Sequence, residues 1–382
     1  MENSIDGPKY SILIPTRNGI RYLPFAIQSA LKQCSGNFEL VISNNHSTDG
    51  TRDYLETLDD SRIRVVMPER SLSMPAHYEF ILSQAKGDWI TILGDDDALM
   101  PDFFSELDKL NLDHIDLDAL VSRRAYYFWP GCEELYGDTV VAYQSREKTT
   151  IRRSDINLFM SLCSITAYTE MPQAYTTGLI RKKLIDRIKS ECNGRFYFAT
   201  SPDVYSAVVI ACRVKKYLRL EKPLFWVGTS AKSVGFSGAS ETKDRYKEFW
   251  QQCANDGFHV SHQIPSNLFD LRDGALFTYD ALLNSPLSTP FWKSSFVKYF
   301  VYAGATRKNS TLKLKVKEEL GSELNIFVLA LCSFLLLFID FVHQINSKRL
   351  GLIDRFLSKK LLSNDRRKFP DIGKASDELT RI

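Results

Sequence analysis

This chain of 382 residues predicts an α/β fold with a mostly parallel, doubly wound sheet. Three observations carry that prediction. Short apolar runs alternate with helical patterns through the first hundred residues, each apolar run ends in a polar cluster, and a hydrophobic content of 44% supports a large core. The first strand is Tyr10-Ser11-Ile12-Leu13-Ile14, stopped by Pro15-Thr16-Arg17-Asn18-Gly19. A helix follows over 23–32, with Leu23, Ile27, Ala30 and Leu31 on one face. Phe38-Glu39-Leu40-Val41-Ile42 is the second strand, ending in a polar stretch over 43–50, and a helix starts near Thr51. The third strand covers 63–67 and precedes a helix over 75–85. Trp89-Ile90-Thr91-Ile92-Leu93 is the fourth, running into Gly94-Asp95-Asp96-Asp97. Right-handed crossovers make these four strands parallel, and ligands in such sheets bind outside the carboxyl ends of the strands. The clusters at 15–18, 43–49 and 94–97 all fall there, so they point at one crevice.

The carboxylate trio is the most informative of the three clusters. Consecutive acids repel, and hard carboxylate oxygens suit magnesium or manganese with positions left for substrate phosphates. The plainer reading is an acidic turn in which Asp97 or Asp102 caps the next helix.

Ser11-Ile12-Leu13-Ile14-Pro15-Thr16-Arg17-Asn18, Ser47-Thr48-Asp49-Gly50-Thr51 and Gly87-Asp88-Trp89-Ile90 running into Asp95-Asp96-Asp97 resemble the nucleotide-sugar half of family 2 glycosyltransferases. The likeness is strong over 8–110 and weaker to about residue 235. It implies a GT-A fold, a nucleoside diphosphate sugar donor, a divalent cation (Mn2+ or Mg2+) and inversion at the anomeric carbon. On that resemblance Pro15, Thr16, Arg17 and Asn18 flank the nucleoside. Asn45 matches a position where many members carry aspartate against the base, with Asn44 before it; this departure keeps a donor and an acceptor for a pyrimidine edge. An Asx turn is the structural alternative for both asparagines. Asp95 is expected near the ribose, and Asp96 and Asp97 on the cation, with Asp96 also against the donor. His46 reads as a turn residue.

A base must take the proton of the attacking hydroxyl. Members of the family place an Asp or Glu about a hundred residues beyond the metal site, at a helix start. Asp203 fits, in Thr200-Ser201-Pro202-Asp203, with Ser201 as N-cap and Pro202 as first helical residue; Glu191 and Glu170 are lesser candidates. An acid in a first helical turn also has a purely structural use against the helix dipole. His77, at the helix start before the metal strand, faces the diphosphate in this reading. Lys232, in the glycine-containing loop 228–238, is expected to touch a phosphate, with Ser233 beside it.

The expected organisation is a GT-A domain over 1–238, with donor half 8–110 and acceptor half 111–238. A mainly helical region over 239–382 follows, with helices at 246–254 and 268–283, an apolar segment at 326–339 and a charged, loose tail over 364–382. A net charge of +3 does not argue for nucleic acid. Seven scattered cysteines without a paired spacing suit a reducing compartment. The acidic N-terminus lacks an apolar signal core, so the expected location is the cytoplasm, or the cytoplasmic face of the membrane. Residues 326–339 carry no charge but fall short of the ~20 residues needed to span a bilayer. They are expected to be buried, to form a homo-oligomer, or to make a peripheral contact with anionic lipid.

The expected function is inverting transfer of a sugar, with a UDP-sugar favoured, to the hydroxyl of a glycan or lipid-linked acceptor in surface polysaccharide or glycan biosynthesis. The alternative is a GT-A-like glycan- or nucleotide-binding protein without turnover. A sugar nucleotidyltransferase would need a glycine-rich phosphate loop after the first strand. A dehalogenase-type phosphatase would need a threonine where Leu99 stands.

Overall fold

The computed structural model describes residues 7–34, 36–232, 243–265, 268, 273–308, 310–320, 325–357 and 359–379. It opens with β1 (Tyr10–Thr16), α1 (Leu23–Leu31), β2 (Phe38–Asn44), α2 (Thr51–Glu56), β3 (Ile63–Val66), α3 (Met74–Leu82) and β4 (Trp89–Ile92). β1 lies between β2 and β4, β3 flanks β2, and all three pairings are parallel. β1 runs two residues beyond the sequence expectation, so Pro15 and Thr16 are its last rungs, opposite Ser43 and Asn44. A proline is tolerated there because the ladder is about to end.

The chain continues through β5 (Ala98–Leu99), α4 (Phe103–Leu110), β6 (Ala119–Phe128), α5 (Glu133–Tyr136), β7 (Val141–Ser145), β8 (Thr149–Arg153), α6 (Ser154–Leu162), β9 (Gly178–Arg181), α7 (Lys182–Glu191), α8 (Pro202–Ala211) and β10 (Lys216–Thr229). Here the sheet turns mixed. β9 inserts antiparallel between β4 and β6, β7 pairs antiparallel with β6, and the long β10 runs parallel to β6. Together with a last strand near the end of the chain, they make eleven strands among the described residues, all in a single sheet with helices packed on it.

The two faces bury different cores. One holds Ile12, Ile14, Leu23, Ile27, Leu40 and Phe103, contributed by β1, β2, α1 and α4. On the other, α3 and α8 pack with helices from beyond residue 243. Those helices are α9 (Lys243–Asn255), α10 (Gly274–Asn284), α11 (Ser295–Lys308), α12 (Ser310–Leu320) and α13 (Ile326–Leu357). Leu276, Tyr279 and Leu282 of α10 and Val301 and Tyr302 of α11 share one buried cluster with Leu13 and Ile92. α10 starts at Gly274 because the Asp273 carboxylate caps it, accepting from the backbone N–H of Ala275 and Leu276. The loop around Gly235-Phe236-Ser237-Gly238, where the boundary was expected, lies outside the described residues.

The end of the chain corrects the expectation of a loose tail. β11 (Lys359–Ser363) pairs antiparallel with β7, and α14 (Ile372–Leu379) follows. Phe369, Ile372 and Ala375 recur at helical spacing and pack against Tyr22, Trp129 and Trp226. The Tyr127 hydroxyl donates to the Phe369 carbonyl at 3.1 Å. Charged surface positions mask this narrow apolar stripe in the sequence.

Candidate active site

The polar clusters that end β1, β2 and β4 meet at the carboxyl edge of the parallel strands. The Asn45 N–H donates to the Thr16 carbonyl at 2.9 Å, which joins the first two clusters. The Thr16 hydroxyl donates to Asp95 Oδ2 at 2.6 Å, which joins the first to the third. Lys232 reaches the same Oδ2 at 3.3 Å. Gly19 permits this approach, since a Cβ there would lie 2.3 Å from that oxygen.

The remaining two carboxylates play unlike parts. Asp97 is buried, and both of its oxygens are engaged: Oδ1 accepts from the Gly228 N–H at 2.7 Å, and Oδ2 from the Gly94 N–H at 3.0 Å and from the Thr176 hydroxyl. It therefore ties the end of β4 to β10 and to the loop before β9. Burial still pushes its carboxyl above the ordinary range, against those hydrogen bonds. Asp96 is less enclosed, and its Oδ2 accepts from the Ser230 hydroxyl at 2.6 Å. Burial, then Asp97 and Asp95, push it up to about 8. Its backbone carbonyl is clamped by the Trp129 indole at 2.9 Å, and a Cβ on Gly228 would lie 1.6 Å from that carbonyl oxygen. Only glycine fits there.

No cluster of three or more His, Cys, Asp or Glu arranged to hold a metal occurs among the described residues. The donor set nonetheless fits a hard cation held largely by substrate. A carboxylate whose charge is penalised by burial and by two neighbouring acids gains from a divalent ion, and Mg2+-type sites commonly use one or two carboxylates plus phosphate oxygens.

Asn18 lies in the left-handed region at φ 55°, and its side-chain oxygen accepts from the Thr48 N–H at 2.7 Å, so it latches the first two loops together. Asn44 Oδ1 accepts from the Ser47 N–H at 3.0 Å, forming the Asx turn. The Asn45 amide exchanges two hydrogen bonds with the Leu72 backbone, at 2.8 and 2.9 Å. Both asparagines are buried and serve the scaffold of the pocket wall. His46 is a turn residue at φ 55°, with Nε2 3.0 Å from the Pro68 carbonyl. His77 is buried with Nε2 2.7 Å from the Ser43 hydroxyl, and burial lowers its pKa to about 4. Arg17 turns toward α9, where it donates to Gln252 at 3.0 Å. Ser233 lies outside the described residues.

Asp203 opens α8 behind Ser201 and Pro202; Ser201 makes no side-chain capping bond. The Tyr168 hydroxyl donates to Asp203 Oδ2 at 2.6 Å. Half-buried Tyr175 and buried Tyr78 lie between this carboxylate and the trio, their rings tilted by 39° with centroids 5.9 Å apart. Burial raises both phenols, and Asp97 and Asp203 raise them further, so carboxylates from β4 and from α8 both bear on this pair of rings. Arg124 of β6 faces Tyr168, Tyr126 and Asp203, which together raise its pKa although burial opposes them. Glu170 pairs with Arg219 and Arg152, and Glu191 with Arg187 and Arg213. Thr176, Ser230, Tyr168 and Arg124 have no signal in the sequence, because each lies in a segment far along the chain from the cluster it serves.

Residues 11–168 match the model of the family described as Glycosyl transferase family 2. Over that stretch the chain carries a domain similar to family 2 glycosyltransferases. The domain is similar to the Campylobacter jejuni GalNAc(5)-diNAcBac-PP-undecaprenol β-1,3-glucosyltransferase, 33% identical over 103 residues, covering 26% of this chain and 33% of that protein. It also resembles the Bacillus subtilis putative teichuronic acid biosynthesis glycosyltransferase TuaG, 32% identical over 97 residues (25% and 38% of the two chains). A third relative is the Escherichia coli UDP-Glc:α-D-GlcNAc-diphosphoundecaprenol β-1,3-glucosyltransferase WfgD, 32% identical over 87 residues (23% and 34%). The chain spans about a third of the length of each of these three relatives. Among solved structures, S. aureus TarS 1-349 in complex with UDP-GlcNAc aligns with a TM-score of 0.49 at 16% identity, over 83% of this chain and 76% of that one.

Proposed function

We propose that this glycosyltransferase domain moves a sugar from a uridine diphosphate sugar to an acceptor hydroxyl, with inversion, in the assembly of a surface glycan. The observation that carries the reading is the gathering of Asp95, Asp96 and Asp97 with the loops after β1 and β2 at the carboxyl ends of the parallel strands. The name of WfgD specifies UDP-glucose, and the names of WfgD and the Campylobacter relative specify undecaprenol-linked substrates, which favours a UDP-sugar and a lipid-linked glycan here.

Thr16, Asn18 and Asn45 build the wall of the nucleoside pocket, with Pro15 and Asn44 setting its backbone. Asp95 faces the ribose, and Lys232, held beside Asp95, moves to a phosphate when donor enters. Asp96 is the residue that would hold a divalent cation. Such an ion, when bound, neutralises the charge that develops on the departing nucleoside diphosphate. Asp97 orients this edge through its three hydrogen bonds and contributes negative potential to the cation. Asp203 takes the proton of the acceptor hydroxyl as it attacks the anomeric carbon from the face opposite the diphosphate. Tyr168, donating to Asp203, fixes the carboxylate in place. The expected site of action is the cytoplasmic face of the membrane.

The test is transfer from a panel of UDP-sugars and GDP-sugars to undecaprenyl-linked glycans. Activity of the native chain and its loss in Asp203→Asn, with UDP binding intact, support the reading. Native-like turnover in Asp203→Asn would remove the base assignment. Binding of donor without transfer or hydrolysis would indicate a protein without turnover.

A further inference from the structure

The most exposed apolar surface among the described residues lies on α13, far from the cleft. The stretch Phe327–Ile345 is long and apolar enough to cross a membrane, yet only 11% of it is buried. Its inner face is fixed to the protein. Cys332 and Leu336 pack against Cys163, Phe300 and Ala303, Arg307 donates to the Leu336 carbonyl at 3.0 Å, and the same guanidinium pairs with Asp340 at 3.2 Å. The outer face carries Leu331, Phe334, Leu335, Phe338, Phe341 and Val342 at the spacing of one helical stripe, with Phe334 69% and Phe338 64% exposed. Phe291, just before α11, and Phe296, in its first turn, are also exposed, and the Phe296 ring lies tilted against Phe300 with centroids 4.9 Å apart. The stretch is about 28 Å long at 1.5 Å per residue, and soluble monomers rarely leave so large an apolar patch uncovered.

Charge selects the occupant. Residues 291–360 carry twelve Lys and Arg against five Asp and Glu, a net +7, whereas the whole chain is only +3, so the remainder is net negative. On α12 Lys313 and Lys317 are exposed, as are Glu318 and Glu319. A second copy of the chain on this face would oppose one strongly basic region to another, whereas an anionic leaflet attracts it. A span through the bilayer is also excluded while the inner face stays covered by α11 and held by the Arg307–Asp340 pair.

We propose that the outer face of α13, with Phe291 and Phe296, inserts shallowly into an anionic lipid leaflet and holds the enzyme there as a monotopic protein. The proposal deepens the functional reading and rests on it for one point, the fate of the acceptor. α13 packs on α11, α11 on α10, and α10 on α8, which carries Asp203. At 8–10 Å per helix pair these three steps put the base within about 30 Å of the lipid, inside the reach of an extended lipid-linked oligosaccharide.

The test is flotation of the full chain with phosphatidylcholine vesicles that contain about one third phosphatidylglycerol, against phosphatidylcholine alone. Light scattering of the free protein and UDP titration accompany it. The expected result is co-flotation with the anionic vesicles, weakened at least ~10-fold without the anionic lipid or at high salt. Phe334→Ser/Phe338→Ser/Phe341→Ser should leave the vesicles and bind UDP as the native chain does. A native chain that floats with neither vesicle overturns the proposal, as does a dimer in solution that the triple variant converts to monomer. Loss of UDP binding with flotation intact would instead count against the donor site.

Discussion

Replacing Asp97 with asparagine should destabilise the fold, whereas the same change at Asp96 should not, although the two carboxylates are adjacent. Asp97 accepts from two backbone N–H groups, of Gly94 and Gly228, on different oxygens. An amide offers one oxygen. Whichever way it is turned, one buried N–H faces an NH2 group; only the Thr176 hydroxyl can rotate to accommodate it. An orphaned buried N–H costs about 1–3 kcal/mol, and the surviving bonds lose their charge assistance. Relief of the buried charge offsets part of this, leaving a net loss of about 1 kcal/mol. Asp96 differs because its side-chain partner Ser230 can donate or accept, and its ionised form is opposed by burial and by two neighbouring acids. Asp96→Asn should therefore be neutral or stabilising by up to ~1 kcal/mol. Urea unfolding of both variants at pH 7 reads the difference directly, as a lower midpoint for Asp97→Asn at unchanged slope. A lower midpoint for Asp96→Asn than for Asp97→Asn would refute this division of roles.

Tyr168→Phe removes the hydroxyl that donates to Asp203, and kcat should fall about 10-fold with KM for donor unchanged, measured by steady-state transfer. A matching rise in donor KM would place Tyr168 in donor binding instead. Gly228→Ala puts a Cβ onto the Asp96 carbonyl, so the edge must open and UDP binding should be lost even where circular dichroism shows a folded chain. His77 is held neutral, with a pKa lowered to about 4 from 6.5, so the unfolded chain binds the extra proton. Its contribution is complete above pH 6.5 and is lost as pH falls through that value toward 4. Between pH 7 and 5 the native chain should lose about 2 kcal/mol more than His77→Gln in urea unfolding, and equal losses would show the imidazole to be solvated.

The alternation through β4 was legible because each of β1, β2 and β4 is buried in the sheet and reads as an apolar run stopped by polar residues. The place of Asp203 in a first helical turn was legible for a local reason too, since Ser201-Pro202-Asp203 marks a helix start. The mixed half of the sheet was not, because β9 enters between β4 and β6 from a distance of many residues, and no local pattern records a pairing partner. The same holds for Thr176 and Ser230, single polar residues whose meaning comes only from the carboxylates they reach. Asn44 and Asn45 carried two readings in sequence, a ligand contact and an Asx turn, and their hydrogen bonds to Ser47 and Leu72 show the turn and wall they build.

Calorimetric titration of the native chain, Asp96→Asn and Asp203→Asn with UDP, each with and without Mn2+, would be decisive. The proposed site requires Mn2+-dependent UDP binding by the native chain and by Asp203→Asn, and its loss in Asp96→Asn. Equal, metal-independent UDP binding by all three would contradict it.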